Sequence, residues 1–177
     1  MNIIKPQVVW ITGLSGAGKT TIARLLLKKI KKFKPIHLDG DELRDILSIT
    51  NKNTFSKKDR IKIGLIYSKL SKYLYDQGHL VIVSVMALNS KTFNWNKKYI
   101  KNYFEIFLDV PIYELQKRDP KGIYKKFSKG LISNVAGLDL KFEKPKKPNL
   151  KIIWKPDMKP EQIVKKIFSK VSKWKKY

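Results

Sequence analysis

Apolar runs at residues 8–12 and 80–85 read as strands buried on both faces, since a half-exposed strand would alternate, and residues 104–110 read as another strand. Shorter runs at 35–38 and 152–154 read as two more strands. Between them the apolar spacing becomes helical. Residues 19–31 carry Ile22, Leu25, Leu26 and Ile30 on one face. Residues 41–47 read as a short helix, 57–75 as a long one with Ser56 as its N-cap and Gly78 as its stop, and 91–101 as another. Pro111 suits the first turn of a helix running to Arg118. A last helix over 160–175 puts Ile163, Ile167, Val171 and Trp174 on one stripe, as a terminal helix docked on the core does. Residues 51–55 read as a loop. Strands alternating with helices predict an α/β fold, a parallel central sheet with helices on both faces.

One stretch breaks the rhythm. Residues 121–148 are rich in glycine, lysine and proline and have weak periodicity. Long irregular segments inside compact domains are usually lids or binding loops. A single domain over 1–177 with a lid at about 119–149 is therefore expected, and 177 residues suit one domain.

Composition narrows the class. No run of about 18 apolar residues exists, so no membrane span is expected. The first residues carry no long apolar stretch before a small-residue cleavage site, so no secretory signal is expected. Cysteine is absent, which removes disulfides, thiolate metal sites and a cysteine nucleophile, and is compatible with a cytoplasmic location. The chain has 39 Lys+Arg against 14 Asp+Glu, a net charge of +25. That charge invites a nucleic-acid partner. However, 35 of the basic residues are lysines spread over the whole length, as a solvated surface and a codon bias would give. Only Arg24, Arg44, Arg60 and Arg118 are arginines, and only arginine offers a planar fork for phosphate. Each is a candidate for work that lysine cannot do. His37 and His79 stand alone beside strands and read as packing or surface residues.

The chemistry begins at residues 13–20, Gly-Leu-Ser-Gly-Ala-Gly-Lys-Thr, a P-loop placed between a strand and a helix. Backbone N–H groups of Gly13, Ser15, Gly16, Ala17 and Gly18 would cradle phosphates at the helix N-terminus, with Thr20 and Thr21 behind them. Lys19 would reach the β- and γ-phosphates of ATP, and the Thr20 hydroxyl would ligate Mg²⁺. The next strand ends in Asp39 and Asp41. Carboxylates at strand ends face the ligand crevice, where one could orient or deprotonate an acceptor hydroxyl or hold a magnesium-bound water. A helix cap is the alternative role for such an aspartate.

The ordered set of segments resembles the adenylylsulfate kinases, P-loop kinases that phosphorylate the ribose 3′-hydroxyl of adenosine 5′-phosphosulfate. It comprises 10–20 (WITGLSGAGKT), 38–41 (LDGD) with Arg44, 55–56 and 59–60, 109–111 (DVP), 118–126 (RDPKGIYKK), 137–139 (GLD) and 142–145 (FEKP). The resemblance implies ATP and Mg²⁺ as cofactors, with Thr20 and Asp41 at the metal. It implies Lys19, Asp41 and Asp39 as the catalytic group. Arg44 and Arg60 would hold the acceptor's phosphosulfate, and Phe55 would stack on its base. Arg118 and the lid lysines Lys121 and Lys125 would cover the ATP side, with Lys125 and Val135 also counted at the acceptor.

Departures from the family cluster at the acceptor end. Residues 62–66 are Lys-Ile-Gly-Leu-Ile where a polar Glu-Asn-Ile-Arg-Arg run is usual. Residues 86–89 are Met-Ala-Leu-Asn for Ile-Ser-Pro-Tyr, and 135–137 are Val-Ala-Gly for Phe-Thr-Gly. The last change removes one aromatic face from the acceptor base. Two acceptors therefore stay open: adenosine 5′-phosphosulfate, or another nucleotide such as the cytidine diphosphoramidate of capsule biosynthesis. A polynucleotide kinase or a pure nucleotide switch would share the P-loop. Neither matches the 118–126 run, so a small-molecule nucleotide acceptor and no nucleic acid are expected. Members of the resembled family are often dimers, which makes a homodimer the expected assembly.

Overall fold

The computed structural model describes residues 7–49 and 56–171. Phe55 lies outside the described residues, as does Trp174. Five strands form one sheet: β1 (Gln7–Thr12), β2 (Ile36–Asp39), β3 (Leu80–Val85), β4 (Tyr103–Asp109) and β5 (Leu150–Ile153). Their order is β2-β3-β1-β4-β5 and all pairings are parallel. The helices are α1 (Lys19–Lys29), α2 (Gly40–Ile46), α3 (Lys57–Asp76), α4 (Ser90–Tyr99), α5 (Ile112–Arg118), α6 (Ile123–Ser128) and α7 (Pro160–Lys170).

The unbroken apolar runs have the cause expected of them. Every residue of β1 and of β3 is buried, and alternate residues enter different cores. Val9, Ile11 and Ile82 pack with Ile22 and Leu26 of α1 and Val164 and Ile167 of α7. Val8, Trp10, Val81 and Val83 pack with Tyr67 of α3 and Leu43 of α2. Helices thus cover both faces, and α1 and α7 pack against each other on one of them.

Caps fix the helix starts. Ser56 and Asp59 form a reciprocal capping box at α3, with Ser56 Oγ donating to Asp59 Oδ2 at 2.6 Å. Asn89 caps α4 by accepting the Thr92 N–H at 2.9 Å. Several limits shift. The first helix ends at Lys29 and a 3₁₀ turn over Lys31–Phe33 follows. The last helix is described to Lys170, and residues 172–175 of the expected helix lie outside the described residues. The segment 121–148 is not wholly irregular, because α6 opens it. Gly122 at φ +63 and an Asp119 carboxylate accepting the N–H groups of Tyr124 and Lys125 start that helix. A six-residue helix is too short to show a 3.6-residue period against a lysine-rich background.

Candidate active site

β1 is the middle strand, and the loop leaving its C-terminal end lies at the centre of a cleft of about 1000 Å³. Gly13 must be glycine there, since a Cβ would stand 2.9 Å from the Leu108 carbonyl oxygen on β4. Gly16 and Gly18 adopt φ of +77° and +89°, and Gly18 is the N-cap of α1 without any side chain to cap it. The N-terminal N–H groups of α1 are thereby left for an anion. Ser15, Gly16, Ala17, Gly18, Lys19, Thr20 and Thr21 all line the cleft, while Gly13 packs beneath it.

Lys19 donates to the Leu14 carbonyl at 2.9 Å. Its ammonium is brought down to about 7, chiefly by burial and then by nearby Lys121 and Arg44, with Asp39 opposing them. A polyphosphate entering this site would supply the negative charge that the lysine lacks.

Asp39 serves two roles that sequence reasoning treated as alternatives. Its Oδ1 accepts the Asp41 N–H at 2.9 Å and caps α2. Its Oδ2 accepts the Thr20 and Ser84 hydroxyls, each at 2.7 Å. Burial pushes the carboxyl up, but the Ser84 and Thr20 hydrogen bonds, with His37 and the Glu42 backbone N–H, together hold the group below its ordinary value. Expectation paired Thr20 with Asp41 at the metal. The Thr20 hydroxyl meets Asp39, which the cap anchors at the strand end, while Asp41 is the second residue of α2 and pairs with other groups. Thr20 Oγ1 and the Asp39 carboxylate form the hard oxygen pair that suits Mg²⁺, an ion that takes one or two protein ligands and completes its shell with phosphates and water. Among the described residues no group of three or more acidic or histidine side chains could hold a metal unaided.

Asp41 is paired with Arg44 one turn on and with Lys121 of the lid. Burial and the Arg44 charge both lower Lys121. Arg60 donates to the Asn134 carbonyl at 2.7 Å, which ties α3 to the segment between α6 and β5. Arg44, Arg60 and Arg118 all line the cleft, whereas Arg24 stands 3.8 Å from Glu42 on the surface. Arg118 is held by Glu114 at 2.8 Å. Val135 is buried and lines the cleft, its N–H given to Asp139 at 2.6 Å. Lys126 lines the cleft and Lys125 does not; both are exposed, and on the helix α6 successive side chains leave on different sides. Of the departures at the acceptor end, Met86, Val135 and Ala136 line the cleft, and Ile63 packs into the core instead.

Sequence reasoning missed Ser84, Trp154 and Met158. Ser84 had a signal, as the one hydroxyl in the apolar run Leu80–Val85. Trp154 follows β5, and strand ends open into the crevice.

The adenylylsulphate kinase family model matches residues 5–153. The chain belongs to the adenylylsulfate kinase family. It is an ATP-dependent phosphotransferase of the P-loop kinase fold. It is 43% identical over 142 residues to the cytidine diphosphoramidate kinase of Campylobacter jejuni, covering 79% of this chain and 82% of that protein. It is 36% identical over 169 residues to the adenylyl-sulfate kinase of Pseudomonas aeruginosa, covering 93% and 85%. Among solved structures, the Mycobacterium tuberculosis APS kinase in complex with AMPPNP and APS superposes with a TM-score of 0.84 at 31% identity, covering 95% of this chain and 98% of that one. Among the described residues no helix is long and apolar enough to cross a membrane.

Proposed function

We propose that this kinase transfers the γ-phosphoryl group of ATP to the ribose 3′-hydroxyl of a nucleotide whose 5′ end carries a second anionic group. The observation that carries this reading is the convergence of Lys19, Asp41, Arg44 and Arg60 on one cleft. Phosphoryl transfer asks a protein mainly to position groups and neutralise charge. Lys19 and the N-terminal N–H groups of α1 bind the phosphates. Asp41 orients the acceptor hydroxyl and takes its proton, once the incoming substrate has drawn Arg44 and Lys121 away. Arg44 and Arg60 hold the acceptor's 5′ anion. Thr20 and Asp39 would hold Mg²⁺, which would supply charge neutralisation at the transferring phosphate.

Adenosine 5′-phosphosulfate is the acceptor supported by the relatives named adenylyl-sulfate kinase. Cytidine diphosphoramidate is the second reading. The 43% identity to the Campylobacter jejuni enzyme favours it. So does Val135 in place of an aromatic residue, a change that costs a purine more stacking surface than a pyrimidine. The test is radiolabelled ATP offered with each acceptor side by side. Label should appear on one of the two at its 3′ position, and the acceptor with the higher kcat/KM is the substrate. Label on neither would overturn the proposal. Lys19→Ala should lower turnover at least about 10²–10³-fold with either acceptor.

A further inference from the structure

His37 stands alone in the sequence and gains its polar neighbours only in the sheet. It lies on β2 two residues before Asp39, so both side chains leave the same face of the strand. In the parallel β2–β3 pairing Asp39 stands opposite Ser84. A continuous chain of side chains results. His37 Nε2 lies 3.0 Å from Ser84 Oγ, Ser84 Oγ lies 2.7 Å from Asp39 Oδ2, and Thr20 Oγ1 lies 2.7 Å from the same Oδ2. Ser84 and Asp39 are buried and His37 is half-buried. Thr20 and Ser84 line the cleft, and His37 does not.

The hydrogens available fix the direction of every bond in this chain. The ionised Asp39 carboxylate can only accept. Thr20 and Ser84 carry one hydroxyl hydrogen each, and each gives it to Oδ2. No hydroxyl hydrogen is left for the contact between Ser84 and His37, so the imidazole Nε2–H supplies it. Resting on the kinase reading above for the place of Thr20 and Asp39 at Mg²⁺, we infer that His37 is a positioning residue of the metal side. Its Nε2–H keeps the Ser84 hydroxyl turned to Asp39, and so keeps the carboxylate set to receive Thr20. The Asp41 N–H holds the other carboxylate oxygen. Thr20, with its hydrogen committed, has only lone pairs to offer, which is what a cation takes from a hydroxyl. Without His37 the Ser84 hydroxyl can turn to other acceptors, and Asp39 Oδ2 loses one of the two bonds that fix it. Partners of this outer kind typically set metal affinity by about 10–100-fold.

Two measurements on the full chain test the inference. The first is the nitrogen spectrum of ¹⁵N-histidine-labelled protein at about pH 8, where imidazole is neutral. The chain has two histidines, so His37→Leu assigns both signals. His37 should show the Nε2–H tautomer, and an Nδ1–H tautomer overturns the inference. The second is calorimetric titration with ATP, once with Mg²⁺ and once with a chelator. Ser84→Ala and His37→Leu should each weaken binding with Mg²⁺ by about tenfold or more and leave metal-free ATP binding within about twofold. His37→Gln, whose amide N–H can donate in the same place, should recover most of the loss. The double variant should bind no worse than Ser84→Ala alone, because His37 acts through Ser84. Additive losses, or equal losses with and without Mg²⁺, overturn the inference, and thermal melts report that each variant folds. Thr20→Ala separates this result from the kinase reading. Its loss of Mg²⁺-dependent affinity would keep that reading in place even where His37→Leu binds as the unaltered chain does, an outcome that overturns the inference alone.

Discussion

Asp41 shows how a single position can be ordinary locally and decisive in the site. In the chain it is a first-turn acidic residue of α2, a placement that the helix dipole favours. In the fold it meets Arg44 from its own helix and Lys121 from the lid, 80 residues away. If it acts as the base, Asp41→Asn should lower kcat by about 10²–10⁴-fold and leave ATP affinity nearly unchanged. Initial-rate kinetics beside ATP titration check this, and equal losses in both would count against the base role. Val135 tests the acceptor wall. It is 6% exposed and borders open space in the cleft. Val135→Phe should restore a stacking face and lower the KM for adenosine 5′-phosphosulfate by a factor equivalent to about 1 kcal/mol or more. A KM that is unchanged or higher would mean that residue 135 does not face the acceptor base.

Strand β4 carries the clearest polar exception among the elements. Glu105 is fully buried in an otherwise apolar strand interior. It accepts from Tyr103 at 3.1 Å, Lys97 Nζ lies 3.1 Å from its other oxygen, and its N–H is given to Asn149 at 2.8 Å. Burial raises its carboxyl above the ordinary value of 4.5, with Lys97 and Tyr103 opposing. The folded state therefore holds this proton more tightly than the unfolded chain does. The stability it adds is fully present below about pH 4.5 and is lost as pH rises through the raised value. Glu105→Gln should remove that slope. The stability of the wild-type chain relative to the variant should fall as pH rises, as read from denaturant melts at pH 4, 5, 6 and 7. A difference that stays flat with pH would contradict the assignment. At this scale the sequence was largely legible. Strands β1 and β3 announced themselves because burial on both faces leaves no alternation, and α3 did so through Ser56 and Gly78. Helix α6 was hidden because its start depends on the Asp119 carboxylate and a left-handed Gly122, and a composition scan reads neither.

Over the whole molecule, the charge of +25 is mostly lysine on the outside, and its chief physical effect is self-repulsion. Raising KCl from 50 to 300 mM should raise the melting temperature by a few degrees as screening takes hold. A melting temperature that falls with salt would instead point to favourable ion pairs as the dominant charge effect. The charge gathered at the cleft is small and local: Lys19, Arg44, Arg60, Arg118, Lys121 and Lys126 border it. The sequence alone determined the parallel α/β order and the P-loop with its helix. Those features rest on local period, glycine conformation and side-chain chemistry, all of which are written in neighbouring residues. Only the tertiary structure decided that the Thr20 hydroxyl meets the Asp39 carboxylate and that Lys126 and Trp154 line the cleft. Each of these depends on where separate strand ends and lid turns meet across the sheet, and no spacing along the chain encodes those distances.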